Sequence, residues 1–312
     1  MSKAFESRLG PDLSEFLKFK RALGFSYRRA EYTLRSFDRF VAAHAPQRGR
    51  LPLERLLRSW LAHRKDRKPV TVAMDLGPVR EFFRFRRRSH PDGFVPGREW
   101  APQAAESHFV PHVFSPDEVR TMLTAADALP GPPLRAMTFR VLICILYCTG
   151  LRLGEAVRLR VEDVDLQQLT FVVRESKGKT RLVPFRADLG RVLQRYRQAR
   201  PNAVDTRDTF LLRPDGKSWT TRGVSSPLRR LLRRTGLKPA KGRNGPRPFD
   251  FRHTFAVHRL TRWYRAGVDL HARLPWLSAY MGHDDLLGTE DYLKATPELL
   301  AVASHRFAAR VH

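Results

Sequence analysis

The sequence has 312 residues and carries 58 Lys and Arg against 31 Asp and Glu, a formal net charge of +27. That imbalance costs self-repulsion and points to a polyanionic partner, nucleic acid first. Its 42% hydrophobic content supports cores, and the length suits two domains; no apolar run approaches the ~18 residues of a membrane span, and no Cys/His cluster has zinc spacing.

Up to about residue 105 the chain reads as helical. Leu34, Phe37, Phe40 and Val41 recur at helical spacing, with Arg28, Arg29, Arg35 and Arg39 between them. A second helix is predicted over 53–63 and a third over 70–88, ending in the string EFFRFRRR. Aromatic residues turned to a core and arginines turned outward suit a DNA-facing surface, while any single arginine also suits a plain solvated face. From Ser89 to about Val113 the sequence is rich in Pro and Gly and has no period, so a linker is expected. Helix grammar resumes at Ser115, a candidate N-cap, with Pro116 at the first helical position and Asp117 and Glu118 in the first turn. The expected division is 1–105 and 106–312.

The second part is predicted as mostly helical with one small β element. A long apolar helix covers 133–148 and stops at Thr149-Gly150; within it Cys144 and Cys148 share a face and are expected to pack in the core. Short strands over 170–174 and 181–184 flank the tight turn SKGKT. Helices are predicted near 188–198, 220–234, 250–266 and 274–281, and the tail PELLAVASHRFAARV reads as a last amphipathic helix. The expected fold class is therefore mainly α with a small β-sheet, α+β, in two domains. The opening MSKAFESRLGPDL does not read as a signal peptide, so a cytoplasmic, reducing location is expected.

Strand cleavage without a metal needs two forked cations on the phosphate oxygens, an in-line nucleophile, and a proton for the departing 5′ oxygen. Each has a candidate. Arg152 sits at a helix–helix corner in CTGLRLGEAVRL, with Glu155 one turn on to orient it; a routine surface ion pair would look the same. Lys177 lies at the hairpin tip in ESKGKTRLVPF, where a tunable amine could reach a leaving oxygen, and Lys179 could fill the same part. Arg252 opens a helix whose Phe251, Phe255 and Leu260 face a core, and His253 beside it is read as bracing the backbone. His283 follows Gly282 in a turn, and Tyr292 comes nine positions later. No carboxylate cluster suits Mg²⁺, so metal-independent cleavage is expected.

Taken in order, TGLRLGE, SKGKTRLVP, DFRHTFA and MGHDDLLGTEDYL resemble the boxes of the tyrosine recombinase/integrase family, whose fold is shared with type IB topoisomerases. The resemblance covers nearly the whole chain. RWYRAGVDLHARLPWLSAYMGH and YLKATPELL are similar to recombinases of bacterial mobile elements. By that resemblance Arg152 and Arg252 hold the scissile phosphate, Lys177 is the β-hairpin lysine that protonates the leaving oxygen, His283 is the second-box histidine, and Tyr292 is the nucleophile that forms a 3′-phosphotyrosine. It implies a helical, SAM-like core-binding domain and a catalytic domain closing as a C-shaped clamp on double-stranded DNA. It implies no cofactor and no metal. As partners it implies further copies of the chain, in a synaptic tetramer joined by the C-terminal helix, and related recombinases. The setting it implies is integration or excision of a mobile element, in the bacterial nucleoid. One position departs from the pattern. The family carries His or Lys three residues before the second arginine, and this chain has Phe249, which cannot donate a hydrogen bond. His253 or Asp250 could stand in. Three other readings stay open: a catalytically weakened accessory partner that binds DNA, a topoisomerase-like relaxing enzyme, and a basic RNA-binding protein, which would leave the ordered strings unexplained.

Overall fold

Apolar side chains spaced three and four residues apart build the first helices: α1 (Gly10–Ala22), α2 (Arg28–His44), α3 (Leu53–Ala62) and α4 (Pro69–Arg86). The structure is a computed structural model that describes residues 4–46, 48–49, 51–103, 110–176, 179–201, 208–242 and 244–283. The chain divides into two units, Met1–Phe109 and Val110–His312. In the first unit Leu13 and Phe16 of α1, Leu34, Phe37 and Val41 of α2, Leu57 and Trp60 of α3, and Val79, Phe82 and Phe83 of α4 form one core. A buried polar network pins these helices in register. Arg64 donates to Asp75 (3.1 Å) and to Ser36 (2.7 Å), and Thr33 donates to the other oxygen of Asp75 (3.3 Å). Arg28, Arg29 and Arg39 are exposed, so this unit's arginines divide between structural and surface positions.

The stretch expected as a linker is partly built into the first core. Arg98–Trp100 form a 3₁₀ turn, and Phe94, Val95 and Trp100 pack on that core, with Phe94 at 5.7 Å from Phe83 and 5.2 Å from Trp100 between ring centroids. A solvated linker would forgo the burial of these large side chains, which outweighs the ordering cost.

The second unit follows with α5 (Pro116–Asp127), α6 (Pro133–Thr149), α7 (Leu153–Arg158), β1 (Val164–Asp165), β2 (Thr170–Ser176), β3 (Lys179–Pro184), α8 (Ala187–Ala199), α9 (Thr221–Arg234), α10 (Asp250–Arg265) and α11 (Leu270–Met281). Ser115 caps α5 through a full capping box: its hydroxyl accepts from the Glu118 N–H and the Glu118 carboxylate accepts from the Ser115 N–H. The apolar helix α6 is the central post, packing against α5, α8 and α10. The sheet is an antiparallel β1-β2-β3 meander in which Phe171 lies opposite Val183. The two-residue β1 has no period for the sequence to reveal. The expected mainly α fold with a small β-sheet is what the described residues form.

Two expectations are corrected. α11 starts four residues before the predicted boundary, because the Asp269 carboxylate caps it by accepting from the His271 N–H (2.9 Å), and Pro275 is accommodated inside it. Cys144 is half-buried and packs against the core as expected, whereas Cys148 is exposed; α6 buries Thr138, Phe139, Val141, Leu142, Ile143, Ile145, Leu146 and Thr149, which leaves Cys148 on its outward side. The predicted tail helix lies outside the described residues. Among those described, no helix is long and apolar enough to cross a membrane.

Candidate active site

Two helices end at glycines in the left-handed region, Gly150 after α6 (φ +63°) and Gly282 after α11 (φ +67°). A Cβ at Gly150 would meet the Phe255 ring at 2.6 Å, so the close approach of α10 also requires glycine there. The last carbonyls of a helix lack partners within it and carry the negative end of its dipole, which makes them natural acceptors for arginine.

Both arginines of the sequence motifs use these carbonyls. Arg252, in the first turn of α10 and only 2% exposed, donates to Gly150 O (2.9 Å) and Met281 O (2.7 Å). Its Nη2 also lies 2.8 Å from Nε2 of His283; since guanidinium only donates, that nitrogen is the acceptor. Arg152, at the corner before α7, donates to Gly282 O (2.9 Å) and to Glu155 (2.7 Å). Glu155 is buried and also accepts from the Arg152 N–H (2.9 Å), which holds the corner and its side chain together. Arg152, Glu155, Arg252 and His283 are therefore interlocked across α6, α7, α10 and α11. Phe114 stacks on Phe251 with ring centroids 4.5 Å apart, and the Phe114 N–H donates to Thr254, which seats α10 against the start of the unit. Lys177 and Tyr292 lie outside the described residues.

Arg181 of β3 was missed in the sequence. It donates to both oxygens of Glu155 (3.3 and 2.9 Å) and to Tyr280 O (2.9 Å). The strand's alternation could have shown it: Val183 and Phe185 are buried, so Arg181 shares their inner face, while Leu182 is 64% exposed. Tyr280, three positions before His283, is no rival nucleophile. Its hydroxyl donates to Pro184 O (3.0 Å), and burial holds its pKa above the ordinary phenol value.

Phe249 immediately precedes α10 and is 55% exposed. Asp250 is buried, and its carboxylate oxygens accept from both the N–H (2.8 Å) and the guanidinium of Arg247. His253 is buried. Because Phe249 fills no core space, Phe249→His should leave the melting temperature unchanged. It should raise the single-turnover rate of DNA cleavage by up to about 10²-fold, the usual worth of one positioned donor. A slower Phe249→His variant, with an inactive His253→Ala, would mean the site is built around the phenyl ring.

The Phage integrase family model matches residues 112–298. The integrase/recombinase y4rB of Sinorhizobium fredii is 33% identical over 312 residues, covering 96% of both chains. The tyrosine recombinase XerA of Thermococcus kodakarensis is 27% identical, covering 89% of this chain and 90% of its own. Among solved structures, the Tn1549 transposon integrase in complex with transposon right end DNA superposes with a TM-score of 0.64 at 19% identity, over 95% of this chain and 99% of that one. The XerH site-specific recombinase bound to its palindromic difH substrate gives 0.62 at 18% identity, over 83% and 73%. These structural likenesses are likenesses of fold.

Proposed function

The chain belongs to the phage integrase family of tyrosine recombinases, and from that premise we propose that it cuts and rejoins double-stranded DNA at specific sites to integrate or excise a mobile element. The observation that carries this reading is the convergence of Arg152, Arg252 and His283 around the two helix ends. Two guanidinium forks and an imidazole at one point form an electrostatic cradle for the charge that develops on a phosphodiester in its pentavalent state.

In the proposed reaction Tyr292 attacks the scissile phosphorus, its oxygen becomes bonded to the 3′ phosphate as its phenolic proton is released, and the 5′ oxygen leaves with a proton from Lys177, which is then reprotonated, so that in net the phenol's proton ends on the 5′ hydroxyl. A 5′ hydroxyl from a second duplex then attacks the phosphotyrosine and releases the tyrosine. One phosphodiester is exchanged for another, so no nucleotide cofactor is consumed. Residues 1–105 are proposed as the core-binding domain and 106–312 as the catalytic domain, closing on DNA as a C-shaped clamp. Recombination would proceed in a synaptic tetramer, with residues from about 297 onward reaching a neighbouring copy and related recombinases as further partners. Exposed Trp276 (71%) and Leu182 on the second unit support a protein contact there.

The test is a nicked suicide duplex incubated with the protein in EDTA. A covalent protein–DNA adduct is expected; binding without any adduct would favour the accessory, DNA-binding reading raised by Phe249. Relaxation of a supercoiled plasmid lacking any specific site would favour the topoisomerase-like alternative.

Affinity for duplex DNA should be strongly salt-dependent, because a chain of net charge +27 releases counterions on contact. For about 6–10 phosphate contacts, affinity should fall by roughly 10³–10⁵ between about 50 and 200 mM salt. A flat response in a filter-binding or anisotropy titration would show that the basic surface does not face DNA.

A further inference from the structure

An arginine on the inner face of a strand is costly unless its charge is met there. Arg181 sits beside buried Val183 and Phe185, while the neighbouring Leu182 points out to solvent, so the usual polarity of the strand is inverted at this point. The charge is met by Glu155, whose two oxygens lie 3.3 and 2.9 Å from the guanidinium, and the remaining Nε–H is taken by Tyr280 O at 2.9 Å. Glu155 is at the same time the partner of Arg152. One buried carboxylate is thus shared by two guanidinium groups, one of them belonging to the cleavage site.

We propose that Arg181 is a positioning residue for DNA cleavage, dividing the charge of Glu155 so that Arg152 stays seated between Glu155 and the end of α11. The inference rests on the recombinase reading above. In a poorly solvated setting the pull of a carboxylate on its counter-ion is strong. With Arg152 as its cationic partner and Arg181 removed, Glu155 draws Arg152 away from the Gly282 carbonyl and from an incoming phosphate. Arg181 also fixes the other side of that seat. It grips the Tyr280 carbonyl two residues before Gly282, and it lies so close to Gly282 that a Cβ there would meet its Nη1 at 2.6 Å and its Cζ at 2.8 Å. Through this one side chain β3, α7 and the end of α11, which carries His283, are held as a unit.

The experiment measures single-turnover adduct formation on the nicked duplex and, separately, equilibrium DNA affinity. Arg181→Met should slow adduct formation by roughly 10²-fold and leave affinity within about twofold, since binding is spread over many phosphate contacts. Arg181→Lys, which keeps the charge but not the fork, should recover part of the rate. The deciding measurement is non-additivity. Glu155→Gln removes the charge that Arg181 divides, so it should speed the Arg181→Met enzyme by about tenfold, yet slow the otherwise wild-type enzyme. If Arg181→Met loses its cooperative thermal transition, the same comparison is made between Arg181→Lys and Arg181→Lys with Glu155→Gln. An unimpaired Arg181→Met overturns the proposal, and so do losses that simply add, because a mere steric brace gives no rescue. Wild-type protein that forms no adduct would instead sink the recombinase reading itself.

Discussion

Tyr292→Phe should form no covalent adduct on a nicked duplex while binding that duplex as tightly as the wild-type protein. The substitution removes one oxygen and leaves the ring. The proposed step needs that oxygen as the attacking atom, whereas affinity comes from phosphate contacts distributed over a highly basic chain. A second tyrosine could in principle cover the loss, and the structure argues against the nearest candidate among the described residues. Tyr280 keeps its hydroxyl on Pro184 O, stacks on Phe255 with centroids 5.4 Å apart, and has its pKa raised by burial. Denaturing electrophoresis of labelled substrate, with parallel anisotropy titrations, reads both quantities. Adduct at wild-type levels from Tyr292→Phe would remove Tyr292 from the mechanism, and lost affinity would move its role to binding.

Arg252 should be the most sensitive of the described site residues, and two substitutions separate its two duties. Arg252→Met deletes the donor to Gly150 O and Met281 O at a buried position. Leaving a buried carbonyl without its donor costs about 1–3 kcal/mol, so the melting temperature should fall along with cleavage. Arg252→Lys restores a cation and hydrogen-bond donors, and with them most of the stability. An ammonium is a point charge, and it cannot span the carbonyls of two helix ends, His283 and a phosphate with fixed geometry. Cleavage by Arg252→Lys should therefore remain lower by at least about 10²–10³. Thermal melts beside single-turnover rates make the comparison. A stable Arg252→Lys enzyme that cleaves at the wild-type rate would show that charge alone suffices there.

Much of this was legible in the residues. The long apolar run ending at Thr149-Gly150, the Ser-Pro-Asp-Glu start of α5 and the periodic apolar face of α10 are local signals, because a helix stripe and its caps are decided within a few turns. The order TGLRLGE, SKGKTRLVP, DFRHTFA, MGHDDLLGTEDYL was legible for the same reason: a motif is a one-dimensional pattern. The fate of 89–113 was not. A Pro- and Gly-rich stretch without a period looks like a linker whether or not Phe94 and Trp100 find a surface to cover, and that depends on the groove left by α3 and α4.

The sequence by itself determined which residues are available for the chemistry and which helices carry them. Only the tertiary structure decided what holds them in place. Arg152 and Gly282 are 130 positions apart, and Arg252 and Gly150 are 102 apart; no local rule couples them. They meet because α6 and α11 end at neighbouring points and present carbonyls that their own helices cannot satisfy, and a buried acceptor must find a donor from elsewhere in the chain. Arg181 follows the same logic in reverse. A two-residue period shows that it faces inward, but the carboxylate that makes this tolerable sits on α7, 26 positions away, and is brought there only when the sheet packs against the helices.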